Sequence, residues 1–173
     1  MLKWIGAAMI LAAGTAFGFR QASRYARRPG ELRQLAAALG TLESEIVYGA
    51  SPLAEAMERV AGAFPPPVSR LFAEAAARMR DRREERTAGE CWEEAVRAVW
   101  PETAMKDAEM SALLALSATL GATDKADQVK HLRFAVSKIS AEEEAAREEA
   151  ARYGRMWRSL GVLAAALIVI LMY

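Results

Sequence analysis

Few side chains in this sequence are placed to do chemistry. Catalysis or metal binding needs a nucleophile beside its base, a cluster of His, Cys, Asp or Glu ligands, or paired carboxylates in a pocket. The chain has one cysteine, Cys91, and one histidine, His131, far apart in sequence. A single cysteine excludes an internal disulfide and a Cys-based zinc site. With no histidine near it, Cys91 reads as a small buried side chain. His131 lies among Lys130 and Arg133, where an exposed or interfacial position is expected. No catalytic residue, metal ligand or cofactor is expected.

Carboxylates are the remaining enzymatic option. A bundle-core carboxylate site needs inward-facing acids, and only Glu43 and Glu143 come near an apolar stripe. The run EEEAAREEA, residues 142–150, pairs forward with arginines, Glu143 with Arg147 and Glu148 with Arg152. That describes a solvated helix face or a docking surface. The run RMRDRREER, residues 78–86, interleaves both signs, unlike a phosphate-binding patch. Overall, 23 Lys and Arg stand against 22 Asp and Glu, a balance that does not suggest nucleic-acid binding.

The elements that would position these residues are helical throughout. Ala, Leu, Glu and Arg dominate, and the 173 residues suffice for one domain. Leu32, Leu35, Leu39, Leu42 and Ile46 step by three and four, with Pro29 fitting the first turn of that helix and Gly49 its end. Ser51 is expected as N-cap and Pro52 as the first residue of a second helix that presents Leu53, Met57, Val60 and Phe64. FPPPV breaks the chain, and Val68, Leu71, Phe72, Ala75 and Met79 form the next stripe. Thr87 and Glu90 make a capping box for a helix carrying Trp92, Val96, Val99 and Trp100. A fifth helix runs from about Met105 to Leu120, where Gly121 stops it. Asp124 or Thr123 caps a last helix whose phase continues from Val129 through Leu132, Val136, Ile139, Ala146 and Ala150 to Tyr153 and Trp157. The expected fold is all-α: a six-helix antiparallel bundle flanked by an N-terminal and a C-terminal transmembrane helix.

The flanks rest on two uncharged runs, Trp4 to Phe19 and Ser159 to Tyr173. Each is shorter than the ~20 apolar residues that cross a bilayer comfortably. Snorkelling Arg20 and Arg158, with Trp4 and Tyr173 as aromatic anchors, make up the difference. Arg20, Arg24, Arg27 and Arg28 follow the first run; Arg147, Arg152, Arg155 and Arg158 precede the second. Only Lys3 lies on the far side, so the positive-inside bias puts the middle in the cytosol. The first run also has features of an export signal, with Lys3 before it and GTA before Phe17, but the arginines behind it resist export. The expected division is 1–24 membrane helix and basic flank, 25–155 bundle, and 156–173 membrane helix continuing the last bundle helix. Small-residue spacings at Gly14 and Gly18, and at Gly161 and Ala165, suit close packing of the spans.

Four stretches together, RPGELRQL, LESEIVYGASPLAEA, LGATDKADQVKHL and MWRSLGVLAAALIVILM, resemble the stage III sporulation protein AB family of endospore-forming bacteria. The middle is also similar to the cytosolic domain of the type II secretion F protein and the type IV pilus platform protein, through the turn made by Gly49, Ser51, Pro52, Leu53 and Ala56. The resemblance implies a non-enzymatic scaffold on the mother-cell side of a transenvelope complex. Its partners would be a cytosolic secretion-type ATPase, other stage III sporulation membrane proteins and membrane lipid. Platform proteins carry two bundles and three spans where this chain has one and two, so a full platform would need self-association, as a homo-oligomer, or partners. Docking residues are expected beside the hairpin turn, at Glu45, Ser51 and Glu55, and on the last helix at Glu144 and Glu148. The competing readings are a lipid-binding or membrane-shaping module and the bundle-core carboxylate enzyme.

Overall fold

The computed structural model describes the backbone of residues 2–49, 51–81 and 85–172, and side chains over 23–49, 51–81 and 85–153. Six α-helices and two short 3-10 turns, with no strand among the described residues, run in the order α1 (Leu2–Tyr48), α2 (Leu53–Ala63), α3 (Val68–Arg80), α4 (Ala88–Val99), α5 (Asp107–Leu114) and α6 (Lys125–Met172). The 3-10 turns are Trp100–Glu102 and Ala115–Ala118.

The two long helices, α1 and α6, form the spine. They lie antiparallel, as three cross-links at successive heights require: Glu43 to Arg133, Arg28 to Glu142, and Tyr25 stacked on Tyr153 with ring centroids 4.3 Å apart. The apolar stripe Leu32, Leu35, Leu39, Leu42 and Ile46 is buried against Leu132, Ile139 and Ala146. Helices α2, α3 and α4 pack in sequence as antiparallel neighbours beside that spine, with Arg80 reaching back to Glu58 and Phe72 meeting Trp92 at 5.5 Å between ring centroids. We call the end where α1 stops and α6 begins the tip, and the opposite end, from which both helices continue into the uncharged runs, the base.

Several local expectations need correction. Pro29 does not open a helix; it lies inside α1. Its missing N–H leaves the Tyr25 carbonyl without its i+4 donor, yet the helix continues because both sides of the proline are held. Tyr25 stacks on α6, while Arg28 is bonded to α5 and α6 and Leu32 is buried. At α2, Ser51 makes no side-chain cap; Pro52 is the cap residue, and its carbonyl accepts from the N–H of Glu55 and Ala56 at 3.0 and 3.2 Å. The fifth helix is shorter than its periodicity suggests. Residues 103–106 leave the helix because buried carboxylates capture two of their N–H groups: Glu31 takes that of Ala104 and Glu109 that of Lys106, each at 2.7 Å. Beyond Leu114 the chain tightens into the 3-10 turn, whose Ser117 carbonyl lies where a Cβ on Gly89 would have to go.

Other signals act as read. Thr87 and Glu90 form the reciprocal capping box of α4. Asp124 accepts from the N–H of Asp127 at 2.8 Å and caps α6. Gly121 adopts φ +73°, a conformation that favours glycine, and ends the turn before it. The last helix is unbroken from Lys125 to Met172, about 72 Å at 1.5 Å per residue. Among the described residues no helix is long and apolar enough to cross a membrane. The side chains of both uncharged runs, with Arg20, Arg155, Arg158 and the small-residue spacings, lie outside the described residues.

Candidate functional site

Two places gather polar groups around a cavity, one at the base and one at the tip. At the base, Arg28, expected as a membrane-flanking cation, is buried. It donates from Nε to Glu109 at 3.0 Å, from Nη1 to Glu149 at 3.0 Å, and from Nη2 to both Glu142, at 3.0 Å, and Glu109. Lys106 Nζ holds the two oxygens of Glu149 at 2.7 and 3.0 Å. This hydrogen bond, helped by the charges of Lys106 and Arg28, keeps the Glu149 carboxyl below its ordinary value against a smaller opposing push from burial. Glu109 is fully buried and its two oxygens are spent on Arg28 and the Lys106 N–H. One cation therefore ties α1, α5 and α6 together, with each buried charge compensated as low-dielectric surroundings demand. A cleft of about 150 Å³ opens beside the cluster, lined by Arg24, Tyr25, Arg28, Ala104, Met105 and Lys106.

The sequence reading missed this cluster, although a signal for it existed. Arg28 precedes Leu32 by four residues and Leu35 by seven, and Glu109 stands in the same relation to Leu113 and Leu116, so both share the phase of a buried stripe. The acids singled out instead, Glu43 and Glu143, are paired at the rim of the bundle with Arg133 and Arg147. Among the described residues Glu148 and Arg152 form no ion pair, unlike Glu143 and Arg147; both lie exposed on α6.

At the tip, Glu45 and Ser51 share a cleft of about 250 Å³ with Ile46, Gly49, Leu53, Lys125 and other residues of the α1–α2 turn and the start of α6. Gly49 is needed there: its N–H bonds the Glu45 carbonyl at 2.8 Å, and a Cβ would fall on that oxygen. Glu45 receives Arg59 Nε at 3.0 Å and Nη2 at 2.5 Å. Glu55 is exposed on the first turn of α2. The tip thus gathers three of the expected docking residues. It does not gather the other two: Glu144 lies nineteen residues beyond Lys125 on α6, about 28 Å along the helix. Val47 and Tyr48, at the end of α1, are the exposed apolar side chains nearest this turn, and Phe134 projects from α6.

Cys91 is buried, and burial pushes its thiol above the ordinary range, where it is a poor nucleophile. His131 is exposed. Among the described residues no three His, Cys, Asp or Glu side chains converge as metal ligands.

This fold defines an all-helical bundle carried on a long antiparallel helix pair. Comparison with known proteins places it: the family model for stage III sporulation protein AB matches residues 3–173, and the chain belongs to that family. It is 38% identical over 172 residues to stage III sporulation protein AB of Bacillus subtilis (strain 168), covering 99% of each chain. It is similar also to a solved structure of stage III sporulation protein AB (SpoIIIAB), with a TM-score of 0.67 and 34% identity over 72% of this chain and 97% of that one.

Proposed function

We propose that the protein is a membrane-anchored, non-enzymatic scaffold of a sporulation transenvelope complex. Its uncharged runs, within residues 1–24 and 156–173, span the mother-cell membrane, and its bundle, residues 25–155, faces the cytosol. The observation that carries this reading is the continuity of α1 and α6: both leave the base of the bundle as unbroken helix and run into the two uncharged segments. A hinge-free junction fixes the orientation of the bundle relative to the bilayer, which suits a docking platform. Membership of the sporulation family supports the setting.

The tip would then project away from the membrane and offer Glu45, Ser51 and Glu55 to a cytosolic secretion-type ATPase. Glu144 and Glu148, separated from the tip along α6, would serve a second contact with other stage III membrane proteins or with another copy of the chain. Affinity capture of the tagged full chain from sporulating cells tests the scaffold reading. Recovery of the ATPase and co-encoded membrane proteins is the expected result; capture that returns neither of them rejects it. Protease protection in spheroplasts and inverted vesicles tests the topology separately, with the middle cut only in inverted vesicles.

A further inference from the structure

Arg24, Arg28 and Lys106 line the cleft at the base together with Tyr25, Ala104 and Met105, and among the described residues no carboxylate lines it. The acids that compensate Arg28 and Lys106, namely Glu109, Glu142 and Glu149, lie outside this lining. Arg24 is different from its neighbours. It is exposed, and among the described residues its guanidinium makes one long contact, 3.5 Å to the Thr103 carbonyl. Most of its five donors remain available for a ligand.

The depth of the cleft follows from helix geometry. Arg24 is five residues past Phe19, the end of the first uncharged run, which is about 7.5 Å of helix. Tyr153, stacked on Tyr25, is six residues before Ser159, about 9 Å. A bilayer with a ~30 Å hydrocarbon core and a ~40–45 Å total thickness has a headgroup layer of about 5–7.5 Å on each side. If the runs span the membrane, the cleft opens at the outer edge of the headgroup layer, from which the long Arg24 side chain can reach towards the phosphates.

We propose that this cleft binds the phosphate of one anionic phospholipid headgroup, with Arg24 as its principal donor. The inference rests on the membrane-spanning reading given above. The volume, about 150 Å³, is well above the ~10–15 Å³ that a single water needs on the same measure, so a phosphodiester has room. The charges of Arg28 and Lys106 are already compensated, so the site holds a free phosphate poorly. A headgroup kept at the cleft mouth by its own bilayer has a high effective concentration and occupies the site nonetheless.

The test is native mass spectrometry of the full chain released from neutral detergent, with phosphatidylglycerol or phosphatidylcholine added. Wild-type chain is expected to retain one phosphatidylglycerol about fivefold more than phosphatidylcholine, the preference due to one juxtamembrane cation. Arg24→Gln is expected to lose that preference, while Arg97→Gln, an exposed arginine paired with Glu93 on α4, keeps it. Arg24→Gln retaining lipid like the wild type overturns the site, and so does displacement of the lipid by millimolar inorganic phosphate. A carbonate wash of vesicles separates the two levels. A chain that washes free defeats the membrane reading and this site with it; an embedded chain with an unchanged Arg24→Gln profile defeats the site alone.

Discussion

The base and the tip of this bundle solve the same problem, joining α1 to α6 and to the shorter helices, by different means. At the base the joint is made of charge. Arg28 is buried with Glu109 and reaches Glu142 and Glu149, while Glu31 and Glu109 hold the backbone of residues 104–106. At the tip the buried joint is apolar, Leu42, Ile46 and Met57 with Leu120 and Leu132, and turns at Gly49 and Gly121 bring the helices together. Its ion pairs, such as Glu45 with Arg59, stay in solvent. Directional bonds fix the position of one helix against another, whereas apolar packing tolerates small shifts. The base is therefore the better place to transmit the orientation of the two long helices, and the tip the better place to adapt to a partner.

The largest effect expected is at the base. Arg28→Met leaves Glu109 buried without its cation and should cost about 3–5 kcal/mol of stability. Denaturant unfolding of the chain in neutral detergent, followed by tryptophan fluorescence, to which buried Trp92 contributes, measures it. Combining Arg28→Met with Glu109→Leu should recover much of the loss, because both buried charges are then gone. A cost below about 1 kcal/mol for Arg28→Met would place that joint with the surface pairs and erase the contrast between the two ends. At the tip, Gly49→Ala puts a methyl group on the Glu45 carbonyl and should cost about 1–3 kcal/mol by overpacking. That loss should appear without any polar partner whose removal rescues it.

The two ends also differ in how far they can be read from sequence. The tip is legible: Gly49, the resumption of periodicity at Leu53, and Asp124 before α6 are local signals, and local signals set turns and caps. Only its fine detail escapes, Pro52 rather than Ser51 occupying the cap. The base is illegible by the same route. Proline at position 29 predicts a helix start, and contacts with Tyr153, Glu109 and Glu149, all remote in sequence, brace α1 on both sides of it. Arg28 belongs by type to the membrane flank and by phase to the buried stripe. Choosing between those readings needs the partner acids, which no local window contains. Residues 103–106 fail similarly, since the carboxylate that takes the Ala104 N–H comes from α1.

Acid sharpens the comparison further. Glu149 at the base and Glu90 in the α4 capping box are both held below their ordinary value near 4.5, the first by its hydrogen bond from Lys106 and the second by the Thr87 N–H. A carboxyl depressed by folding adds stability that is present above its unfolded pKa and is lost as pH falls through the lower folded one. Unfolding midpoints should therefore fall with pH below about 4.5. Glu149→Gln should flatten that fall. An acid limb insensitive to Glu149→Gln would remove its salt links from the account of the base.

The smallest stability effect is expected at the tip's exposed pair, and there smallness is informative. Glu45 and Arg59 are both solvent-accessible, and such pairs contribute about 0.2–1 kcal/mol. Glu45→Ala should thus unfold nearly like the wild type while releasing Arg59, whose proton the Glu45 hydrogen bond now holds more firmly than usual. If the tip docks the ATPase, the same substitution should weaken capture of that partner well beyond its effect on stability, because a docking residue acts in the complex and not in the fold. Capture unchanged in both Glu45→Ala and Glu55→Ala would assign the tip's acids to solvation alone. The docking surface would then have to lie along α6, at Glu144 and Glu148, and the separation of roles between base and tip would give way to one between the helix pair's inner seam and its outer face.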